Sequence, residues 1–163
     1  MIIRKAIQAD LPILTEIHNQ AILAQQNAET STKTVAERQE WFEHHQDEKY
    51  PIYVIEQDNQ VIGYGTLSKY REGRAALKKV VEVSYYIHNQ HHKKGIGTFL
   101  LNALLEQSKN LGFNFALAIL LDSNIGSIHL LGKFGFQQWA HFPEIVALKN
   151  KTCGQFIYGK ALI

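Results

Sequence analysis

The sequence predicts one α/β domain, residues 1–163, whose central sheet is mixed, mostly antiparallel and flanked by helices. Three observations predict it. A chain of 163 residues, 45% hydrophobic and 20% charged, is the size and composition of one globular core. Two β-rich runs near the middle are separated by a three-residue polar turn, the spacing of an antiparallel hairpin. Beyond it, a β-rich run, a glycine loop, an amphipathic helix and an apolar run follow in the order of a parallel crossover.

Ile2, Ile3 and Ile7 around Arg4 and Lys5 read as a first strand, after which Asp10 is expected to cap a helix with Pro12 in its first turn. Leu11, Leu14, Ile17, Ala21 and Ile22 keep helical spacing to about Gln25, and polar residues 26–33 interrupt it. Thr34-Val35-Ala36-Glu37 has the form of a capping box, which starts a second helix running through Trp41 and Phe42 to about His45. Residues 50–56 and 61–69 form the hairpin around Asp58-Asn59-Gln60, with Gly63 and Gly65 weakening its second strand. Residues 70–79 read as a basic loop, and the β-branched and aromatic run of residues 80–87 as a central strand. Residues 98–111 place Phe99, Leu100, Ala103 and Leu104 on one helical face before Gly112. Residues 115–121 are nearly continuous in apolar side chains, as in a strand covered on both faces. Asp122-Ser123-Asn124 opens a short helix ended by Gly135, and residues 136–141 and 156–162 read as a closing antiparallel pair.

A formal charge of +2 is too small an excess to indicate nucleic acid. One cysteine, Cys153, rules out an internal disulfide and a cysteine zinc cluster. His44, His45, His88, His91 and His92 lack partners at a metal-binding spacing, so no metal is expected. The first residues lack a signal-peptide pattern and no apolar run is long enough for a bilayer, so no membrane partner and a cytoplasmic location are expected.

His92-Lys93-Lys94-Gly95-Ile96-Gly97-Thr98 joins a strand to a helix, so its free amides, the helix dipole and two lysines suit a phosphate. By itself this glycine turn is equally consistent with a ligand-free connection, and it has neither GxGxxG nor Walker spacing. One strand later comes Asn124-Ile125-Gly126-Ser127-Ile128-His129-Leu130, then Lys133-Phe134-Gly135-Phe136. Together these segments resemble the GNAT superfamily of acyl-CoA-dependent N-acetyltransferases over nearly the whole chain. Ala28-Glu29-Thr30-Ser31-Thr32, Arg38 with Trp41-Phe42, and Val81-Glu82-Val83-Ser84-Tyr85-Tyr86-Ile87 resemble the phosphinothricin acetyltransferase-like branch most closely.

The resemblance implies that the sheet contains a splayed pair of parallel strands, that acetyl-CoA is the cofactor and that the protein is a homodimer. It implies a loop from His92 through Lys93, Lys94, Gly95, Ile96 and Gly97 to Thr98 that binds the CoA pyrophosphate. The pantetheine arm is then expected along Val83, Ser84, Tyr85, Tyr86 and Ile87, where this strand splays from that of residues 115–121, with Asn124, Ser127 and Lys133 as further cofactor contacts. Asn124 and Ser127 also suit a plain helix cap. Two departures stand out: His92 and Lys93 replace residues usual in the loop, and Leu131 stands where relatives carry a Tyr or His able to protonate the leaving thiolate.

An α-amino group of pKa about 8 is only about one-tenth neutral at pH 7, so acetyl transfer benefits from a base. Glu82 matches the carboxylate of the phosphinothricin-type branch and is the catalytic candidate; its ordinary pKa of about 4.3 would have to be raised, or a water relay used. Arg71, Arg74 and Lys78 precede it in a basic loop suited to an anionic group on the acceptor, and Glu29 and Thr30 are a candidate wall of the acceptor pocket. The expected function is transfer of acetyl from acetyl-CoA to the primary amine of a small, amino-acid-like acceptor by direct attack. The alternative, which Leu131 and the altered C-terminal segment with Ala147, Lys151, Cys153 and Gln155 favour, is a noncatalytic acyl-CoA-binding or sensing module on the same fold.

Overall fold

The computed structural model describes residues 1–163. Seven strands, β1 (Ile2–Lys5), β2 (Ile52–Gln57), β3 (Gln60–Lys69), β4 (Val80–Ile87), β5 (Phe115–Leu121), β6 (Gln137–Ala147) and β7 (Thr152–Ala161), form one sheet in the order β1-β2-β3-β4-β5-β7-β6. Only β4 and β5 run parallel; every other neighbouring pair is antiparallel. Helices α1 (Leu11–Leu23) and α2 (Val35–His44) precede the hairpin, α3 (Ile96–Asn110) connects β4 to β5, and α4 (Ile125–Lys133) follows β5. None is long and apolar enough to cross a membrane.

The period-two alternation of β2 shows how the two helical layers share the sheet. Ile52 and Val54 are buried with Leu11, Leu14, Ile17 and Phe42 of α1 and α2. Tyr53 and Ile55 point to the opposite cluster, which contains Leu100, Leu101 and Leu104 of α3 and Leu131 of α4. The tight β2–β3 turn has Asp58 and Asn59 at φ of 51° and 61°, the left-handed pair whose twist suits a two-residue hairpin. The Thr34 capping box forms: the Glu37 amide donates to Thr34 Oγ1 at 3.2 Å and the Thr34 amide to Glu37 Oε2 at 2.7 Å.

Several boundaries differ from the sequence reading. Asp10 occupies the N-cap position of α1, with Pro12 in the first turn, but makes no side-chain bond to the helix; its carboxylate accepts from the Ile7 amide at 2.8 Å and from two nitrogens of Arg4 at 2.7 and 3.0 Å, tying β1 to the turn before the helix. Helix α1 ends at Leu23, ahead of Gln25 at φ 53°. Helix α3 begins two residues earlier than expected because Gly95, at φ 78°, serves as its N-cap. Strands β6 and β7 are longer than their apolar runs, and β7 lies between β5 and β6. Nearly all of β6 is exposed as the edge strand, so burial imposes no alternation on it, and pairing is interrupted between Phe142 and Val146.

Gly65 has a packing reason to lie inside β3. A Cβ there would come within 2.6 Å of Leu104 Cδ1 and 3.0 Å of the Ser84 carbonyl oxygen, so the missing side chain lets α3 sit directly on the sheet. Gly65→Val should therefore destabilise the fold by about 1–3 kcal/mol through overpacking, measured by urea unfolding.

Candidate active site

Strand β4 pairs with β3 from Lys69↔Val81 to Gly63↔Ile87, and β5 pairs with β7 along its whole length. Between them the parallel ladder covers only Val80↔Phe115, Val81↔Ala116 and Glu82↔Leu117. Beyond Glu82 the two strands part, and Val83, Ser84, Tyr85, Tyr86 and Ile87 face β5 without pairing to it. The backbone edge of a parted strand suits an extended ligand carrying its own amides and carbonyls.

At the end of β4 the chain enters the glycine loop. The amides of Lys93, Lys94, Gly95, Ile96, Gly97 and Thr98 donate to no backbone acceptor, so a run of donors stands free at the start of α3. Two side chains hold the loop in place: the His92 ring nitrogen Nε2 donates to the Ile87 carbonyl at 2.8 Å, and Lys94 Nζ to that of Gln90 at 2.9 Å. Lys93 is exposed at φ 60°. A Cβ on Gly97 would meet Leu130 Cδ2 of α4 at 3.2 Å, which marks how closely the two helices approach beside the gap.

Asn124 accepts a hydrogen bond from the Ser127 amide at 3.2 Å and thus caps α4. This cap occupies its carbonyl oxygen and leaves its amide donors for another group. Ser127 stands one turn into α4, half-buried, while exposed Lys133 is at the far end, about 13 Å along the helix axis from Asn124. Leu131 is completely buried.

Glu82 stands at the last paired rung of the β4–β5 ladder. Burial alone pushes its carboxyl above the usual range, with no cation offsetting the desolvation. Its face of the sheet continues through Tyr86, which stacks on Tyr64 at 5.2 Å between centroids and meets the His18 ring edge-on at 5.3 Å. Around these rings runs a directed chain of hydrogen bonds. Arg38 donates to the Tyr64 hydroxyl at 3.3 Å, which donates to His18 Nδ1 at 3.2 Å, and His18 Nε2 donates to Glu29 at 2.5 Å. The neighbours set this imidazole tautomer, because the Glu29 carboxylate can only accept. Desolvation, reinforced by the nearby Arg38 charge, holds His18 below its ordinary pKa against the pull of Glu29. The buried Arg38 guanidinium also lies 3.8 Å over the Trp41 ring.

The expected acceptor residues do not all converge. Glu29 ends the hydrogen-bond chain, whereas Thr30 is exposed beside it. Arg71, Arg74 and Lys78 are exposed and border a cavity of about 300 Å³ with Tyr50 and Val80, whose lining excludes Glu82. No three His, Cys, Asp or Glu side chains converge as a metal site. His18 and Tyr64 were not among the expected site residues. A histidine within the apolar stripe Leu11, Leu14, Ile17, Ala21 was the signal available for the first; an apparently ordinary strand tyrosine offered none for the second.

The sequence pattern of the Acetyltransferase (GNAT) family matches residues 14–136. An L-methionine sulfoximine/L-methionine sulfone acetyltransferase of Salmonella typhimurium is 33% identical over 147 residues, covering 89% of this chain and 85% of that protein. The L-amino acid N-acyltransferase MnaT of Escherichia coli is 32% identical over 146 residues, covering 89% and 84%. Among solved structures, a GNAT superfamily phosphinothricin acetyltransferase from Sinorhizobium meliloti in complex with AcCoA superposes with a TM-score of 0.92 at 27% identity, covering 98% of this chain and 87% of that one.

Because the folded state raises the Glu82 pKa, it holds that proton more tightly than the unfolded chain does. The resulting stability is present below the unfolded pKa and is lost as pH rises through the folded one. Glu82→Gln escapes the loss, so its stability relative to wild type should be more favourable at about pH 7 than at about pH 4, measured by urea unfolding at both.

Proposed function

Because the chain belongs to the GNAT acetyltransferase family and is an acetyl-CoA-dependent N-acetyltransferase, we propose that it moves acetyl directly to the primary amine of a small amino-acid-like acceptor, with Glu82 as the base. The observation that carries this is the placement of a desolvated carboxyl, its pKa raised by burial, at the last rung before β4 and β5 part. A raised pKa brings Glu82 closer to the range in which it can take a proton from the acceptor nitrogen, directly or through water. A module that only bound acyl-CoA would have no use for a desolvated carboxyl there.

In this reading the free amides from Lys93 to Thr98, with Lys93 and Lys94 adding charge, hold the pyrophosphate. The parted edge of Val83, Ser84, Tyr85, Tyr86 and Ile87 lies along the pantetheine arm, with Asn124, Ser127 and, at the far end of α4, Lys133 contacting the cofactor. Acetyl-CoA supplies the activated acyl group; the chain's own residues orient it and accept the proton.

The relatives that act on amino acids or methionine derivatives support an amino-acid-like acceptor. Its carboxylate is assigned to the cations Arg71, Arg74 and Lys78, on the connection between the Lys69 end of β3 and the Val80 start of β4; Glu29 and Thr30, on the α1–α2 connection, would contact the acceptor from a separate side. The same proposal covers action of residues 1–163 as one domain, a cytoplasmic location and a homodimer. The long exposed edge of β6, with Trp139, Phe142 and Ile145, supports the last of these.

Thiol release from acetyl-CoA across a panel of amino acids, their amides, methionine sulfone, phosphinothricin and polyamines tests the assignment. Amino acids should be preferred to their amides, and Ala at whichever of Arg71, Arg74 or Lys78 grips the carboxylate should lower kcat/KM for the acid by about tenfold to a hundredfold, with much less effect on the amide. Preference for polyamines, or equal use of acid and amide, overturns the acceptor class. A panel without any turnover overturns the enzymatic reading.

Glu82→Gln should leave acetyl-CoA affinity unchanged and lower turnover by about a hundredfold, most severely at low pH where the acceptor amine is protonated. A pH–rate profile measured under conditions where chemistry limits turnover checks this; an unchanged profile removes Glu82 from the role of base.

A further inference from the structure

The loop before α3 holds two residues in the left-handed region. Gly95, at φ 78°, is the residue type that region favours; Lys93, at φ 60°, is not. A lysine there bears backbone strain that glycine would relieve, and such strain persists where a side chain is put to use. The Lys93 side chain is exposed, and its ammonium makes no hydrogen bond or ion pair within the chain.

Lys94 differs in this respect. Its ammonium donates to the Gln90 carbonyl at 2.9 Å, which folds it back onto the turn at Asn89–His91. The two lysines of the loop therefore diverge, one tethered and one free. No acidic residue occurs from His88 to Leu105 or anywhere in α4, so these segments offer Lys93 no counterion. A free cation on a strained backbone, beside a row of unpaired amides, points to an anion that the amides themselves do not hold.

CoA carries such a group. With the pyrophosphate on the amides and the pantetheine arm running along β4 into the gap, the adenosine end leaves the cradle on the other side, toward solvent. Its ribose bears a 3′-phosphate monoester with a charge of about −1.5 to −2 at pH 7. The amide row is already engaged by the pyrophosphate, so this group needs a donor of its own.

We propose that the Lys93 ammonium pairs with the 3′-phosphate of CoA, so that this chain distinguishes CoA from dephospho-CoA through a residue its own loop geometry disfavours. This rests on the acetyl-CoA reading above. The contact lies far from the reacting carbonyl and is the same before and after transfer, so it sets cofactor affinity and selection rather than the rate of the chemical step.

Calorimetric titration with CoA and with 3′-dephospho-CoA, at low and at high ionic strength, compares wild type with Lys93→Gly, Lys93→Asn and Lys93→Arg. Glycine removes the charge and the strain; asparagine removes the charge and still tolerates the left-handed region; arginine keeps the charge. At low ionic strength the first two should bind CoA about fivefold to tenfold more weakly than wild type and dephospho-CoA within about twofold. Lys93→Arg should bind both within about twofold of wild type. Lys93→Gly without ligand should unfold at no lower a temperature than wild type, so that lost affinity is not lost fold. The wild-type preference for CoA should shrink as salt is raised. Equal weakening for both ligands assigns Lys93 to the pyrophosphate and overturns the proposal, as does an unchanged affinity for CoA; either result leaves the acetyltransferase reading standing. Failure of wild type to bind CoA at all overturns both.

Discussion

The parting of β4 from β5 after Glu82 is the constraint on which the candidate site depends. Each strand is held along its length by a different antiparallel partner, β4 by β3 and β5 by β7. The parallel ladder closes three rungs and then yields, because each strand follows the twist of its own longer antiparallel ladder. An edge that would ordinarily be sealed by hydrogen bonds is left open in the middle of the sheet. The same departure places Glu82 at the mouth of the gap, Tyr85 on one wall and the starts of α3 and α4 beside it.

The two faces of the sheet handle polarity differently around that gap. On the α1/α2 face, a buried guanidinium, a phenol, an imidazole and a carboxylate are linked in one directed chain, while the Arg38 Nε is buried without a partner. On the α3/α4 face the packing is apolar except for hydroxyls such as those of Tyr85 and Ser127. Buried polar groups without partners are uncommon, and those in this chain are concentrated around α2, the chain after α1 and the opened strand.

Some residues serve the fold and the proposed chemistry together. Asn124 caps α4 through its carbonyl oxygen and keeps its amide donors free. Gly95 gives α3 its left-handed N-cap and leaves a row of amides exposed. His92 reaches back to β4 and fixes the loop, whose charge comes from Lys93 and Lys94. Its side chain therefore acts through geometry, which explains how the loop tolerates a histidine at that position.

Local patterns determined much of this protein. The Thr34 capping box, the Asp58-Asn59 turn, the β-branched run of β4 and the glycine turn before α3 each depend on neighbours a few residues away. Their order, with the motif after Asn124, was enough to indicate the family, and Glu82 was legible as a carboxylate in a strand of that order. Tertiary structure alone decided the insertion of β7 between β5 and β6, the extent of the exposed β6 edge, the chain from Arg38 through Tyr64 and His18 to Glu29, and the burial of the Tyr85 hydroxyl. Each of these brings together groups far apart in sequence, or turns on which side of a strand is left uncovered. Periodicity reports that a side chain is apolar or polar, whereas desolvation and hydrogen-bond satisfaction depend on what packing places opposite it.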